Sequence, residues 1–336
     1  MCGRYASARK RLELLEEFRI ERDRVAEPIE PDYNVAPTKR VYAVVTRDAQ
    51  PSEGAGAAEA RSAEARSAKA VPSGTSTGGT STGGTSTGGT STGADQPEEI
   101  TGVARELRVV RWGLVPFWAK DPSIGSRLIN ARAETVASKP AFRRAFSRRR
   151  CLLPADGYYE WQRPGEAGSD DTPGGRGKGG KGGAKQPYFI FRRDGGPLAF
   201  AGLYELWRDE SVPDDHEHAW LWTATIITTS APDELGKIHE RMPMIIEPDR
   251  WADWLDPESK DPADLMSLLA PAAAGGLDSY PVSTAVNSVR NNGPHLLERI
   301  DPGQVGQDPS ATSAGSRRSR SAASQGTSGS VPDKLF

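Results

Sequence analysis

Hydrophobic residues in this chain cluster mostly in short segments rich in β-branched and aromatic side chains. We predict a strand in each of these segments. They cover residues 40–46, 106–112, 151–153, 158–162, 188–192, 198–203 and 220–228. One early segment differs, because Leu12, Leu15 and Phe18 recur at helical spacing. There we predict a helix over residues 7–20.

Four further helices are expected. One covers 131–149 and is broken at Pro140, since proline cannot donate the helical hydrogen bond. The other three cover 233–239, 250–255 and 263–269. Strands outnumber helices, and short or looping connections join them. The pattern predicts an α+β domain with a largely antiparallel, barrel-like β core and peripheral helices, in which 158–162 pairs with 188–192.

Low-complexity tracts interrupt this pattern. Residues 74–93 are four copies of a Gly-Thr-Ser-Thr-Gly unit, and the tract 164–185 is rich in glycine and lysine. Such compositions lack the apolar surface that offsets ordering entropy. We therefore predict one domain over 2–302, disordered insertions at about 51–100 and 164–185, and a disordered tail over 303–336.

The formal net charge is −2, which gives no global signal for a polyanionic partner. Locally, residues 125–150 hold eight Lys or Arg and one Glu. This cluster is either a solvated face or part of a phosphate-binding groove. Two cysteines argue against a disulfide framework, and no apolar run approaches the roughly 20 residues that span a bilayer. We expect a cytoplasmic protein with no membrane partner.

Residue 2 is the most informative single position. The chain opens Met1-Cys2-Gly3-Arg4, and a small residue after an initiator methionine permits its removal. A terminal cysteine carries an amine and a thiol, with reference pKa values of about 7.7–8.0 and 8.5. The pair can close on an aldehyde to form a thiazolidine ring. The alternative is a frayed, solvated chain end.

Three polar residues lie where packing does not require them. Asn130 stands where a strand-like segment meets the predicted helix, which is also a natural N-cap position. Glu160 lies inside an aromatic strand, either on its solvent face or in a cleft that raises its pKa. His239 ends a predicted helix, whose C-terminal dipole it would complement.

No metal or cofactor is predicted. Neither the cysteines nor His216 and His218 have zinc-ligand spacing, and His239-Glu240 lacks the second histidine of a metalloprotease helix. Cys151 begins an apolar segment and is expected to be a small buried hydrophobe.

Eight segments, together with Met1-Cys2-Gly3-Arg4, resemble one family in order and in sequence. The eight are 34–37 (NVAP), 112–116 (WGLVP), 129–135 (INARAET), 156–161 (DGYYEW), 187–190 (PYFI), 201–204 (AGLY), 238–243 (IHERMP) and 286–292 (VNSVRNN). The chain resembles the SRAP proteins, the SOS response-associated peptidase or abasic-site processing family. The resemblance implies a domain that binds single-stranded DNA and crosslinks to abasic sites through its N-terminal cysteine.

The same resemblance implies roles for individual residues. Cys2 is the nucleophile, Asn130 holds the nucleophile and the sugar, and Glu160 and His239 handle protons. For DNA binding, Arg4, Arg132 and Arg241 are expected at phosphates, Trp118 and Trp161 at bases, and Pro37 against the strand. Trp118 is favoured over Trp161 for stacking, and core packing is the alternative for both. The expected partner is single-stranded DNA containing abasic sites, bound by a monomer that needs no protein partner and is nucleoid-associated when on DNA.

Other functions fit parts of the sequence. An N-terminal-nucleophile amidohydrolase also begins Met-Cys-Gly, and there the free amine activates its own thiol. A peptidase would pair Cys2 with His239, although removal of Met1 is all the self-processing that the sequence needs. A weak lyase activity at abasic sites follows from the imine chemistry. A non-catalytic reader of single strands is the third alternative.

Overall fold

The structure is a computed structural model that describes residues 2–48, 103–162, 185–213, 215–216, 219–269 and 276–301. The predicted insertion at 51–100 and the predicted tail over 303–336 lie outside these ranges, as does the predicted tract 164–185 apart from its last residue. Within the described ranges, no helix is long and apolar enough to cross a membrane.

The described residues form an α+β fold. The strands are β1 (Tyr5–Ser7), β2 (Arg22–Asp23), β3 (Asp32–Val35), β4 (Arg40–Asp48), β5 (Val103–Trp112), β6 (Asn130–Arg132), β7 (Arg150–Ala155), β8 (Gly157–Gln162), β9 (Gln186–Arg192), β10 (Leu198–Arg208), β11 (Trp220–Ser230), β12 (Arg241–Pro243) and β13 (Leu277–Pro281). The α-helices are α1 (Arg11–Glu17), α2 (Arg143–Arg148), α3 (Asp233–Gly236), α4 (Trp251–Leu255) and α5 (Pro262–Leu268).

Five strands close into a barrel in the order β11-β10-β7-β4-β5. The neighbours in this order pair antiparallel, and β5 returns to β11 in parallel, where Thr223 pairs with Arg111 and Ala224 with Trp112. The prediction of an α+β fold with a largely antiparallel, barrel-like core is confirmed.

The two faces of the barrel strands bury different residues. On β4, Val41, Ala43 and Val45 belong to one core cluster, while Tyr42 and Val44 belong to another that includes residues of all the helices except α3. Because side chains alternate along a strand, the first cluster fills the barrel and the second lies beneath the helices. Both faces are therefore buried.

A second sheet has the order β13-β9-β8-β1-β3 and brings the chain start to the barrel. On β1, Tyr5 pairs with Tyr158 of β8, and its ring contacts Trp112 edge-on at 5.2 Å and Phe200 at 5.7 Å. Tyr5 therefore closes one mouth of the barrel. The predicted pairing of 158–162 with 188–192 is confirmed, as β8 with β9.

The helix predicted over 131–149 is wrong. Residues 130–132 form β6, which pairs in parallel with β11, and a 3₁₀ turn covers Ala133–Thr135. Only Arg143–Arg148 is α-helical, beyond Pro140. A three-residue strand has too few positions to show a period, and it forms here because β11 offers it a backbone edge.

Part of the basic cluster at 125–150 is structural. Arg150 is buried, and its guanidinium donates to the carbonyls of Phe146 and Trp254, which ties the end of α2 to α4. Arg149 forms an ion pair with buried Glu205. These two arginines hold the fold together and are not part of an open phosphate groove.

Candidate active site

Cys2 lies at the barrel mouth that Tyr5 closes. It is fully buried in the same cluster as Tyr158 and Ile238. The N–H of Tyr159 donates to the carbonyl of Arg4 at 2.9 Å, so the chain start runs antiparallel to β8 toward Glu160. The frayed chain end considered as an alternative is not seen, since β1 is held between β8 and β3.

Asn130 contacts the backbone of Cys2 directly. Its Nδ2 donates to the Cys2 carbonyl at 2.8 Å. The residue pairs with Ile226 in β6, so the N-cap alternative is wrong. Its Oδ1 is buried and has no hydrogen-bond partner among the described residues. Asn130 thus fixes Cys2 with one atom and holds an acceptor ready beside it with the other.

Glu160 is only 3% exposed. The alternative that placed it on the solvent face of its strand is therefore wrong. Burial raises the pKa of Glu160 to about 7, against the opposing positive charge of the amino terminus. A carboxyl group with this pKa is divided between acid and base forms near neutrality, which is the state that proton transfer requires.

The Cys2 thiol is in the same low-dielectric environment. Burial raises the pKa of Cys2 well above its usual value, and the negative charge of Glu160 raises it further. The thiol is therefore neutral at pH 7, unlike the thiolate that a cysteine protease uses.

His239 follows α3, beside the buried Ile238 that packs in the Cys2 cluster. Its Nδ1 lies 3.0 Å from the Arg241 nitrogen, from whose N–H it accepts when it carries no proton, and 3.2 Å from the Arg241 carbonyl, to which it donates when it is protonated. A hydrogen bond also joins β8 to the segment before His239, because the side chain of Gln162 donates to the Lys237 carbonyl at 3.1 Å. The His239 ring contacts the backbone of Arg241.

Arg4 is held from two sides. Its Nη1 donates to Asn34 Oδ1 at 2.7 Å and to the Val286 carbonyl at 2.8 Å, and its guanidinium lies 5.9 Å from the Trp161 ring centre. Asn34 is fully buried and also donates to the Ser288 carbonyl at 2.9 Å. Asn34 was given no role from the sequence, although it begins the NVAP segment at 34–37.

The other two predicted phosphate ligands differ in exposure. Arg132 is exposed at the end of β6. Arg241 has a side chain only 12% exposed, and Glu134 accepts from both of its terminal nitrogens, at 2.5 and 3.1 Å. Its Nη2 also donates to the Thr228 carbonyl at 2.6 Å.

The predicted base-stacking residues also differ in exposure. Trp118 is 51% exposed, and its neighbour Phe117 is 48% exposed beneath the Arg144 guanidinium at 4.1 Å. Trp161 is half-buried and donates through Nε1 to Asn287 at 2.6 Å. Pro37 is half-buried.

Metal-binding geometry is not found in the part of the chain that the structure describes, because no group of three or more His, Cys, Asp or Glu converges there. Cys151 is fully buried on β7, which confirms its prediction as a small core residue.

Comparison with known proteins identifies the family. A profile of the SOS response associated peptidase (SRAP) family matches residues 1–289. The abasic site processing protein YoqW of Bacillus subtilis is 32% identical over 298 residues, which are 89% of this chain and 99% of YoqW. The abasic site processing protein YoaM of the same organism is 42% identical over 59% of this chain and 77% of YoaM.

A solved structure from Bordetella bronchiseptica supports the fold alone. It superposes with a TM-score of 0.51 at 20% identity, over 84% of this chain and all of that one. With the family profile spanning most of the sequence and YoqW matched along almost its whole length, the chain belongs to the SRAP family of abasic site processing proteins.

Proposed function

We propose that this protein binds single-stranded DNA at abasic sites and joins itself covalently to the opened sugar through Cys2. The observation that carries the proposal is the contact of Asn130 with the Cys2 carbonyl at 2.8 Å, beside a buried carboxyl group with a pKa of about 7. Membership of a family of abasic site processing proteins supports the substrate class.

Removal of Met1 gives Cys2 the amine that starts the reaction. Its nitrogen attacks the C1′ aldehyde of the opened abasic sugar, and a C–N bond forms as the carbonyl oxygen takes a proton. The resulting carbinolamine expels water and becomes an imine. Glu160 accepts the amine proton in the first step and returns a proton to the departing hydroxyl in the second.

The thiol then closes the ring. Cys2 Sγ adds to the imine carbon, a C–S bond forms, and the thiol proton passes to the nitrogen, so the product is a neutral thiazolidine. Because burial keeps the thiol protonated, Glu160 in its carboxylate form is the base that accepts this proton and passes it on. Ring closure removes the imine, and with it the β-elimination that would break the strand at the 3′ phosphate.

Asn130 and His239 act on the sugar. The buried Asn130 Oδ1 accepts a hydrogen bond from a sugar hydroxyl, while Nδ2 keeps the Cys2 carbonyl fixed. His239 in its protonated form donates its Nε2 proton to the sugar ring oxygen as the C1′–O4′ bond breaks, and the Glu160 carboxylate takes the proton of the C1′ hydroxyl, which becomes the aldehyde; the Nδ1–H of His239 faces the Arg241 carbonyl at 3.2 Å. Asn130 brings no charge to the reacting atoms.

The strand is held by its phosphates and bases. Exposed Arg132, together with Arg4 and Arg241, contacts phosphates, and exposed Trp118 stacks on a base for about 1–3 kcal/mol. Pro37 and Trp161 flank the strand. Contacts of these kinds read little sequence.

Intact mass spectrometry tests the proposal. The purified protein is measured before and after incubation with a single-stranded oligonucleotide from which uracil has been excised, and an oligonucleotide with the uracil in place is the control. We expect loss of Met1, a heat-stable adduct with the excised strand alone, and a peptide map that assigns it to Cys2.

A chain that retains Met1, or loses it and forms no adduct, would contradict the proposal. Hydrolysis of a glutamine amide or of a peptide by such a chain would favour the amidohydrolase. Binding without an adduct would favour a non-catalytic reader.

A further inference from the structure

The Glu134–Arg241 ion pair bridges two strands that carry candidate site residues. Glu134 lies in the turn after β6, which holds Asn130, while Arg241 begins β12. Both strands flank β11, and the carboxylate reaches across it to the guanidinium at 2.5 Å. Glu134 is half exposed, so its carboxylate lies at the protein surface, where a bound DNA strand would run.

Three of the five N–H donors of Arg241 have acceptors in the hydrogen bonds to Glu134 and to the Thr228 carbonyl. Glu134 accepts one hydrogen bond from each terminal nitrogen, and the Thr228 carbonyl accepts a second from Nη2. Nε is buried. The two-pronged edge that would grip a phosphate in the usual bidentate way is therefore occupied by a carboxylate.

Glu134 also stays ionised. The hydrogen bonds from Arg241 hold the pKa of Glu134 below its usual value, and the charges of Arg241 and Arg132 lower it further. A permanent negative charge on the terminal nitrogens of Arg241 repels a phosphate that approaches this guanidinium.

We infer that Glu134 is a resident anion in a phosphate site: its carboxylate fills the Arg241 fork, and a DNA phosphate must displace it. The inference rests on the proposed function in one respect, namely that Arg241 contacts the DNA backbone. The need to displace Glu134 lowers the affinity of the protein for DNA strands without an abasic site, which bind through their phosphates alone. Strands with an abasic site are favoured in comparison, because Cys2 also holds them covalently.

The test is the affinity of Glu134→Gln for a fluorescein-labelled single-stranded 15-mer without an abasic site, measured by anisotropy at several salt concentrations. Gln keeps the shape and loses the charge. We expect binding about two- to fivefold tighter, the range that an exposed ion pair accounts for. The slope of log affinity against log salt should steepen by at most about 0.7, the value for one phosphate contact on a single strand, because the displaced wild-type carboxylate stays beside the phosphate and cancels part of the counterion release.

Two matched variants separate this exchange from a general charge effect. Glu240→Gln removes a negative charge from the exposed residue directly before Arg241. It should bind as the wild type does, and an equal gain in it would overturn the inference. In an Arg241→Gln background, Glu134→Gln should give no gain, because its target is gone.

Unchanged or weaker binding by Glu134→Gln would also overturn the inference, and weaker binding would mean that the carboxylate only positions Arg241. These outcomes are distinct from failure of the proposed function. Wild-type protein that binds no single strand at low salt would overturn both, whereas a wild-type adduct with unchanged binding by Glu134→Gln would overturn the inference alone.

Discussion

Cys2 and Cys151 lie in one core cluster of the barrel and are both 0% exposed. Burial raises the pKa of both thiols well above the usual value. Their neighbours differ. Cys151 stands opposite Gly202 on β10, where a Cβ would come within 2.8 Å of its Sγ, so the sulfur fills the space that glycine leaves.

Cys2 instead has polar groups around it. Asn130 donates to its carbonyl, and the charges of Glu160 and of the amino terminus act on its thiol. At Cys151, burial alone raises the pKa of the thiol. The contrast indicates that burial does not distinguish Cys2 from Cys151, and that the polar groups from β6 and β8 do.

The largest effect on crosslinking is expected when the two cysteines are substituted one at a time. Cys2→Ser can form the imine but has no thiol to close the ring, so the heat-stable adduct should fall at least about a hundredfold. Cys151→Ala should crosslink at the wild-type rate and lose about 1 kcal/mol of stability through its cavity. Denaturing gels after boiling, with and without borohydride, measure both variants.

Borohydride should restore a crosslink to Cys2→Ser by reducing its imine. Adducts of this variant that survive boiling without borohydride would refute the ring mechanism. A large loss in Cys151→Ala, with its fold intact, would remove the contrast between the two sites.

Glu160→Gln removes the proton carrier and leaves the shape of the site. The crosslinking rate at pH 7 should fall by about 10²–10⁴, the usual contribution of a positioned general acid or base. Pre-steady-state quenching on the abasic oligonucleotide measures this rate, and affinity for an intact single strand serves as the control. A rate within twofold of wild type would assign the proton transfers to another group.

The same variant should be more stable than the wild type above neutrality. The folded protein keeps the Glu160 proton up to about pH 7, whereas the ordinary value is 4.5. Between these values the folded state holds more protons than the unfolded chain, so raising the pH lowers wild-type stability. Glutamine does not titrate, and its advantage should grow across this window to about 1–3 kcal/mol. Urea unfolding at pH 5, 6, 7 and 8 measures it; a difference independent of pH would contradict the raised pKa.

The sequence predicts the barrel strands well and the surroundings of Cys2 less well. Strands β4, β5 and β11 are long enough for their β-branched and aromatic composition to be visible, and each was expected in nearly its observed range, whereas the prediction for β10 ended five residues before Arg208. Strand β6 was read as helix, because its three residues are held by pairing with residues 226–228. Such pairing leaves no local signal.

Glu160 shows a second limit. In β8, Tyr158 packs into the barrel and Tyr159 into a separate cluster with Phe189, so both faces of the strand are covered. Alternation identifies a solvent face only when one exists, and here it cannot say that Glu160 is buried. The Glu134–Arg241 contact joins residues 107 positions apart, which a single sequence does not reveal.

The smallest effect is expected far from Cys2, at the other end of β4. Asp48 pairs with Val103 there, while Trp112 contacts Tyr5 at the mouth that holds the site. The nine residues of β4 span about 26 Å. Deleting 51–100 leaves a connection of Ala49, Gln50, Thr101 and Gly102, and four-residue connections are common in hairpins.

Crosslinking by this deletion variant should therefore stay within about twofold of the wild-type rate, on a short abasic oligonucleotide and on a long one. Comparing the two lengths is what makes the measurement decisive. A loss on the long strand alone would mean that residues 51–100 help to capture DNA away from the lesion. A loss on both would mean that the hairpin end communicates with the Cys2 mouth through the barrel, and the two ends could then no longer be treated as independent.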